Sequence, residues 1–115
     1  MSEKREPGDY LHDILESIED VRAFTLGMNY EDFAGDRKTL KAVIRCFEVI
    51  AEATKALPSD IKNRYPEIPW VEIVGMRNKL IHEYFGVDTE ILWQSIEEDI
   101  EPLEATVRLI LAEQD

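Results

Sequence analysis

The sequence predicts an all-α protein, an antiparallel four-helix bundle with short extra helical turns. Three observations carry that expectation. Apolar residues recur at three- and four-residue steps along four long stretches of the chain. No stretch alternates apolar and polar residues in the way a half-buried strand does. Gly27, Gly35, Pro58, Pro66, Pro69 and Gly86 fall between the periodic stretches, where helices have to stop. The length of 115 residues suits a single domain over 1–115, with residues 1–8 polar and flexible.

The first helix is expected from Asp9 to Thr25, with Leu11, Ile14, Ile18, Val21 and Phe24 as its stripe and Gly27 as its stop. A linker containing Asn29, Gly35 and Asp36 follows. The second helix runs from Arg37 to Leu57, with Asp36 placed to cap it. It carries two apolar faces. One holds Leu40, Val43, Ile44, Phe47 and Ile50, and the other the smaller Ala42, Cys46, Val49 and Ala53. Two such faces fit either a central helix of a bundle or a helix that also meets a partner.

Leu57-Pro58-Ser59 breaks the chain, and Ser59 is expected to cap a short helical turn to Tyr65. Pro69 suits the first position of a third helix that ends at Phe85, before Gly86. The fourth helix starts near Asp88 and runs towards Ala112 on the stripe Trp93, Ile96, Ile100, Leu103, Val107 and Ile110. Pro102 should bend it.

Composition limits the function. The single cysteine, Cys46, excludes an intramolecular disulfide and a zinc site built on several cysteines. With two histidines in the chain, a transition-metal site is not expected. There is no glycine-rich phosphate loop, no nucleophile elbow and no HExxH string. No apolar run is long enough to span a membrane and the first residues carry no apolar signal core, so a cytoplasmic protein is expected. The formal net charge of −12 opposes nucleic-acid binding. That charge is concentrated at the ends: residues 1–35 hold 3 basic and 9 acidic side chains, and residues 86–115 hold 1 and 9. Residues 36–85 are close to neutral, which leaves room for an anion-binding site in the middle of the chain.

The third helix breaks its own pattern. At ~100° per residue, Arg77 falls in the middle of the stripe formed by Trp70, Ile73, Val74, Leu80, Ile81 and Tyr84. A guanidinium cannot shed its charge, so it needs an acidic partner, a route to water, or a cleft that admits anions. Glu48 and Glu52 are the candidate partners for a buried ion pair. His82 lies ~140° around the helix from Arg77, on the side of Asn78 and Gly75, and a bend or a second chain would have to bring the two together. Gly75 sits inside the helix, where it either admits a neighbour or has no role. His12 reads as solvated, and so do Glu97, Glu98 and Asp99.

The string Arg77-Asn-Lys-Leu-Ile-His82-Glu-Tyr84 resembles the R-x4-H-x-Y motif of the HEPN superfamily, and of the HepT toxins in particular. The segment from Val43 to Ala53 is similar to the second-helix signature of that family, and Trp70 to Phe85 to the helix that carries its active site. The resemblance covers residues 10–112.

It implies a HEPN-like helical bundle that pairs into a homodimer, with Arg77 and His82 of both chains lining a cleft at the interface. It implies a metal-independent endoribonuclease without a cofactor, with Asn78 in a supporting position. It also implies a toxin of a type VII toxin–antitoxin pair, neutralised by an MntA-like nucleotidyltransferase that transfers AMP to Tyr84. Two other readings stay open beside it. One is a non-catalytic HEPN module that binds a nucleotide or the partner nucleotidyltransferase. The other is a structural bundle in which Arg77 forms a buried ion pair.

Overall fold

A computed structural model of the chain describes residues 5–75 and 88–113. The described residues form helices and connecting turns in an all-α, HEPN-like arrangement, and none of them is in a strand.

Helix α1 spans Pro7–Thr25. It begins two residues before the expected Asp9. Pro7 takes the first helical position, where its fixed φ and missing N–H cost nothing. Asp9 then sits one turn in, and its carboxylate accepts the Glu6 N–H at 2.8 Å. Gly27 follows α1 with φ +78, the left-handed conformation that ends helices and that glycine adopts without strain. Leu11, Ile14, Ile18 and Val21 are buried as the stripe requires, but Phe24, one turn further, is exposed.

The linker contains a helix that periodicity does not reveal. Helix α2 spans Tyr30–Ala34. Asn29 Oδ1 accepts the Asp32 N–H at 2.8 Å and Asp32 Oδ2 accepts the Asn29 N–H at 3.4 Å, a reciprocal cap. The turn directs Phe33 inward, where it is fully buried.

Helix α3 spans Arg37–Ala56, and the expected cap is present: Asp36 Oδ1 accepts the Thr39 N–H at 3.1 Å. Its two apolar faces merge into one wide arc. Val43, Cys46, Phe47, Ile50, Ala51, Ala53 and Thr54 are buried, while Leu40 and Ile44 pack half-buried at one margin. This arc lies mainly against α1, and α2 covers a smaller part of it.

Helix α4 spans Ser59–Asn63. Pro58, not Ser59, is its N-cap, and no side chain caps it. Residues 70–75 are the described part of α5, whose first turn closes through Ile73 N–H donating to the Pro69 carbonyl at 3.0 Å.

The expected fourth helix is two. Helix α6 spans Thr89–Glu98 and α7 spans Ile100–Glu113. The break falls at Asp99, a turn before Pro102. A proline ring collides with the carbonyl four residues earlier and leaves it without a donor, so Pro102 ends the ladder at Glu98. Pro102 itself sits in the first turn of α7, where a proline is tolerated. The buried stripe shifts accordingly: Leu92 and Ser95 are buried on α6, Trp93 and Ile96 are half-buried, and Ile100, Leu103, Val107 and Ile110 are buried on α7.

Helix α7 packs on α1, and one carboxylate ties the two. Glu104 accepts from Arg22 of α1 at 2.6 Å and from Arg108 of α7 at 3.0 Å. The Arg22 hydrogen bond, with Arg108 behind it, holds the Glu104 carboxyl below the ordinary glutamate range against the opposing effect of burial. A lowered carboxylate contributes stability that is complete above the unfolded pKa, ~4.3, and is lost as pH falls through the lower folded value. Glu104→Gln should therefore lower stability near pH 7 by up to about 1 kcal/mol, a modest figure because the arginines are half-exposed and screened. In denaturation curves taken at several pH values, the gap between variant and wild type should close as the carboxylate protonates.

Candidate active site

Arg77, Asn78, His82 and Tyr84 fall within residues 76–87, outside the described residues. What the structure defines is the frame on either side of that stretch. On the N-terminal side the anchor is Trp70. Its ring is buried, and its indole N–H is shared between the Tyr65 carbonyl at 3.0 Å and the Lys62 carbonyl at 3.1 Å. Lys62 belongs to α4 and Tyr65 to the turn after it, so α4 and the start of α5 are locked together. Lys62 Nζ donates in turn to the Thr54 carbonyl at 3.3 Å, which ties this corner to the end of α3.

On the C-terminal side the anchor is Asp88. Its Oδ1 accepts the Glu90 and Ile91 N–H groups at 3.0 and 3.2 Å, which fixes the start of α6 where the sequence places it. Tyr30 and Thr89 share a hydroxyl hydrogen bond of 2.8 Å, and the Trp93 ring lies 5.0 Å from that of Phe33. The helix hidden in the linker thus holds the first turn of α6. Sequence reasoning placed the helix start near Asp88 but missed the Trp70 hydrogen bonds and the Tyr30 and Phe33 contacts, of which only the Asn29-x-x-Asp32 cap left a local trace.

Other side chains that invited chemistry are quiet. Cys46 is a buried free thiol, and burial pushes it up to about 11, far from a reactive thiolate. His12, Glu97, Glu98 and Asp99 are exposed. Among the described residues no group of three or more His, Cys, Asp or Glu side chains is placed to hold a metal ion, and no helix is long and apolar enough to cross a membrane. Of the two carboxylates considered for Arg77, Glu48 is half-buried with its oxygen 3.8 Å from Arg45, and Glu52 is exposed on α3. An ideal Cβ built on Gly75 meets no atom within 4 Å among the described residues, so they do not crowd this position.

Between the end of α3, α4 and α5 lies an open groove of about 620 Å³. Lys55 of α3 and Ser59, Lys62 and Asn63 of α4 line it, together with Val71, Val74 and Gly75 of α5. Gly75 precedes Arg77 by two residues in the chain.

The Trp70 anchor is testable. Trp70→Phe keeps an aromatic ring but leaves the Lys62 and Tyr65 carbonyls without their shared donor. Each carbonyl keeps a backbone donor, the Tyr65 N–H at 3.1 Å and the Ile68 N–H at 3.2 Å, so what is lost is one shared hydrogen bond, ~0.5–1.5 kcal/mol. Chemical denaturation should show a loss of that size with an unchanged slope.

Residues 14–110 match the family described as Ribonuclease HepT-like. A relative from Thermococcus cleftensis, named "Probable ribonuclease HepT", is 53% identical over 100 residues, which is 87% of this chain and 91% of the relative. A second, from Methanocaldococcus jannaschii, named "Putative RNase MJ0127", is 42% identical over 116 residues, 97% of this chain and 96% of the relative. No solved structure matches the chain at a significant level. With a match across most of its length and relatives this similar from end to end, the chain belongs to the HepT-like ribonuclease family.

Proposed function

We propose that this protein is a metal-independent endoribonuclease that acts as the toxin of a type VII toxin–antitoxin pair. The observation that carries the proposal is the string Arg77-x4-His82-x-Tyr84 in a chain of the HepT-like family. The two relatives named above carry RNase or ribonuclease in their names.

The chemistry follows from what these side chains can do. RNA supplies its own nucleophile. The ribose 2′ oxygen loses its proton to a base and bonds to the adjacent phosphorus. The bond from phosphorus to the 5′ oxygen breaks, and that oxygen takes a proton from an acid. The products are a 2′,3′-cyclic phosphate and a 5′ hydroxyl. Imidazole, with an ordinary pKa of ~6.5, serves as base or acid near neutral pH. A homodimer provides two copies of His82, one for each role. Arg77 donates forked hydrogen bonds to the phosphoryl oxygens as charge builds on them, and Asn78 supports it.

A partner nucleotidyltransferase of the MntA type would silence the site by transferring AMP from ATP to the Tyr84 hydroxyl: the tyrosine oxygen loses its proton and bonds to the α-phosphorus, and pyrophosphate leaves. The added phosphodiester brings bulk and negative charge to the place where the RNA phosphate has to sit, so it repels substrate by the same rules as phosphorylation. The toxin would act in the cytoplasm, on RNA, as a homodimer.

The formal charge of −12 favours a second reading. An acidic surface slows association with RNA. A non-catalytic HEPN module would use the same arginine and histidine to hold a nucleotide or the partner enzyme without turnover.

One assay separates the two. Purified partner-free protein is incubated with total cellular RNA in EDTA. Wild type should cleave, and His82→Ala should be slower by at least ~10²-fold with its fold intact. Absence of cleavage by unmodified, dimeric wild type establishes the binding module instead. The regulatory step has its own readout. Protein co-expressed with its nucleotidyltransferase should gain mass by whole AMP groups, and Tyr84→Phe should gain none.

A further inference from the structure

The lining of the groove between α3, α4 and α5 runs against the net charge of the chain. The chain holds 25 acidic and 13 basic side chains, yet the described residues lining this groove include Lys55 and Lys62 and no carboxylate. Ser59 and Asn63 add a hydroxyl and an amide. Val71 and Val74 of α5 give it apolar lining, and Val71 is 81% exposed, among the most exposed large apolar side chains in the described chain. A cation pair with small polar groups, together with bare apolar surface, matches a nucleotide, with its anionic phosphate and its flat base. The volume of about 620 Å³ is within the usual range for a ligand cleft.

The groove is also rigidly built. Lys62 is held by its bond to the Thr54 carbonyl, and Trp70 locks α4 to α5 beneath it. Lys55 is exposed on the last turn of α3, where a lysine also faces the helix carbonyl end.

We infer that this groove is a single-stranded RNA subsite. Lys55 and Lys62 hold consecutive phosphates of the strand, and Val71 and Val74 take the face of a base. The inference rests on the ribonuclease reading for the identity of the strand, but it concerns Lys55, Lys62, Val71 and Val74, none of which is among the proposed catalytic residues. It supplies what the net charge otherwise denies, a local attraction for phosphate, in a groove whose lining reaches Gly75, two residues before Arg77 in the chain.

The test measures binding apart from cleavage. The probe is a fluorescein-labelled 2′-O-methyl oligonucleotide, which has no free 2′ hydroxyl and cannot be cut by 2′-oxygen attack. Its affinity is followed by anisotropy across a salt series. Each phosphate contact on a single strand contributes about 0.7 to the slope of log K against log salt. Lys55→Ala with Lys62→Gln should lower the slope by about 1.4, two such contacts. Lys55→Ala alone, at an exposed position that does not threaten the fold, should lower it by about half as much. Lys38→Ala removes an exposed lysine ~25 Å away along α3 and should change nothing.

Wild-type affinity and slope in both groove variants, while wild type still cleaves RNA, would overturn the subsite and leave the ribonuclease reading standing. An equal loss in Lys38→Ala overturns it too, since the effect would then be general charge. Conversion of a groove variant from dimer to monomer in sedimentation would identify a second copy as the occupant. If wild type neither binds the probe nor cleaves RNA, the ribonuclease reading falls and the subsite with it.

Discussion

The fold depends on the burial of one apolar arc of α3. This helix is 20 residues long, ~30 Å, and among the described elements its arc packs chiefly on α1. Fully burying a valine-, leucine- or isoleucine-sized side chain contributes roughly 1.5–3 kcal/mol relative to exposing it. Leu11, Ile14, Ile18 and Val21 on one helix, with Val43 and Ile50 on the other, are all buried to within 1%. Helices α7 and α2 dock on this pair, and α6 packs against both of them. Helix α7 lays Leu103, Val107 and Ile110 into the same core, and α2 closes an edge with Phe33. Polar contacts then select among ways of packing these faces. Glu104, shared between Arg22 and Arg108, does this for α1 and α7.

A second constraint concerns the stretch that carries the motif. Its two flanks are held by unlike devices. Before it, a buried indole bonds backbone carbonyls across a turn, so the start of α5 is set by α4 and not by its own sequence. After it, Asp88 caps α6 from within, and Tyr30 and Phe33 hold α6 from a helix 50 to 60 residues away in the chain. The two ends of the stretch are thus fixed by neighbouring elements, the kind of support that the proposed site would need from its scaffold.

Charge divides the molecule in a related way. The acidic excess belongs to the two ends of the chain, and α1, α6 and α7 carry most of it on exposed positions. The end of α3 and the α4 turn carry Lys55, Lys62 and Arg64. For a protein that handles RNA, an acidic body limits indiscriminate phosphate binding, and a short cationic groove restores attraction at one place.

The sequence by itself determined the features that are local. Asp36 and Asp88 cap the helices they precede, and Gly27 ends α1, because a cap is decided by a few neighbouring residues. The stripes of α1 and α3 were legible because helical periodicity is written into the chain, and the arginine–histidine–tyrosine string because it is linear. Tertiary structure decided the rest. Phe24 continues the α1 stripe yet is exposed, while Phe33 in an apparent linker is fully buried. The break at Asp99 belongs to a proline three residues later, whose ring acts on a carbonyl a turn behind it. Lys55 and Lys62 are separated by Pro58, so no helical spacing relates them, and only the corner between α3 and α4 puts them on one groove. Periodicity and capping act within a turn or two of helix. Burial, long-range hydrogen bonds and convergent charge depend on which surfaces meet, and that is settled when the helices pack.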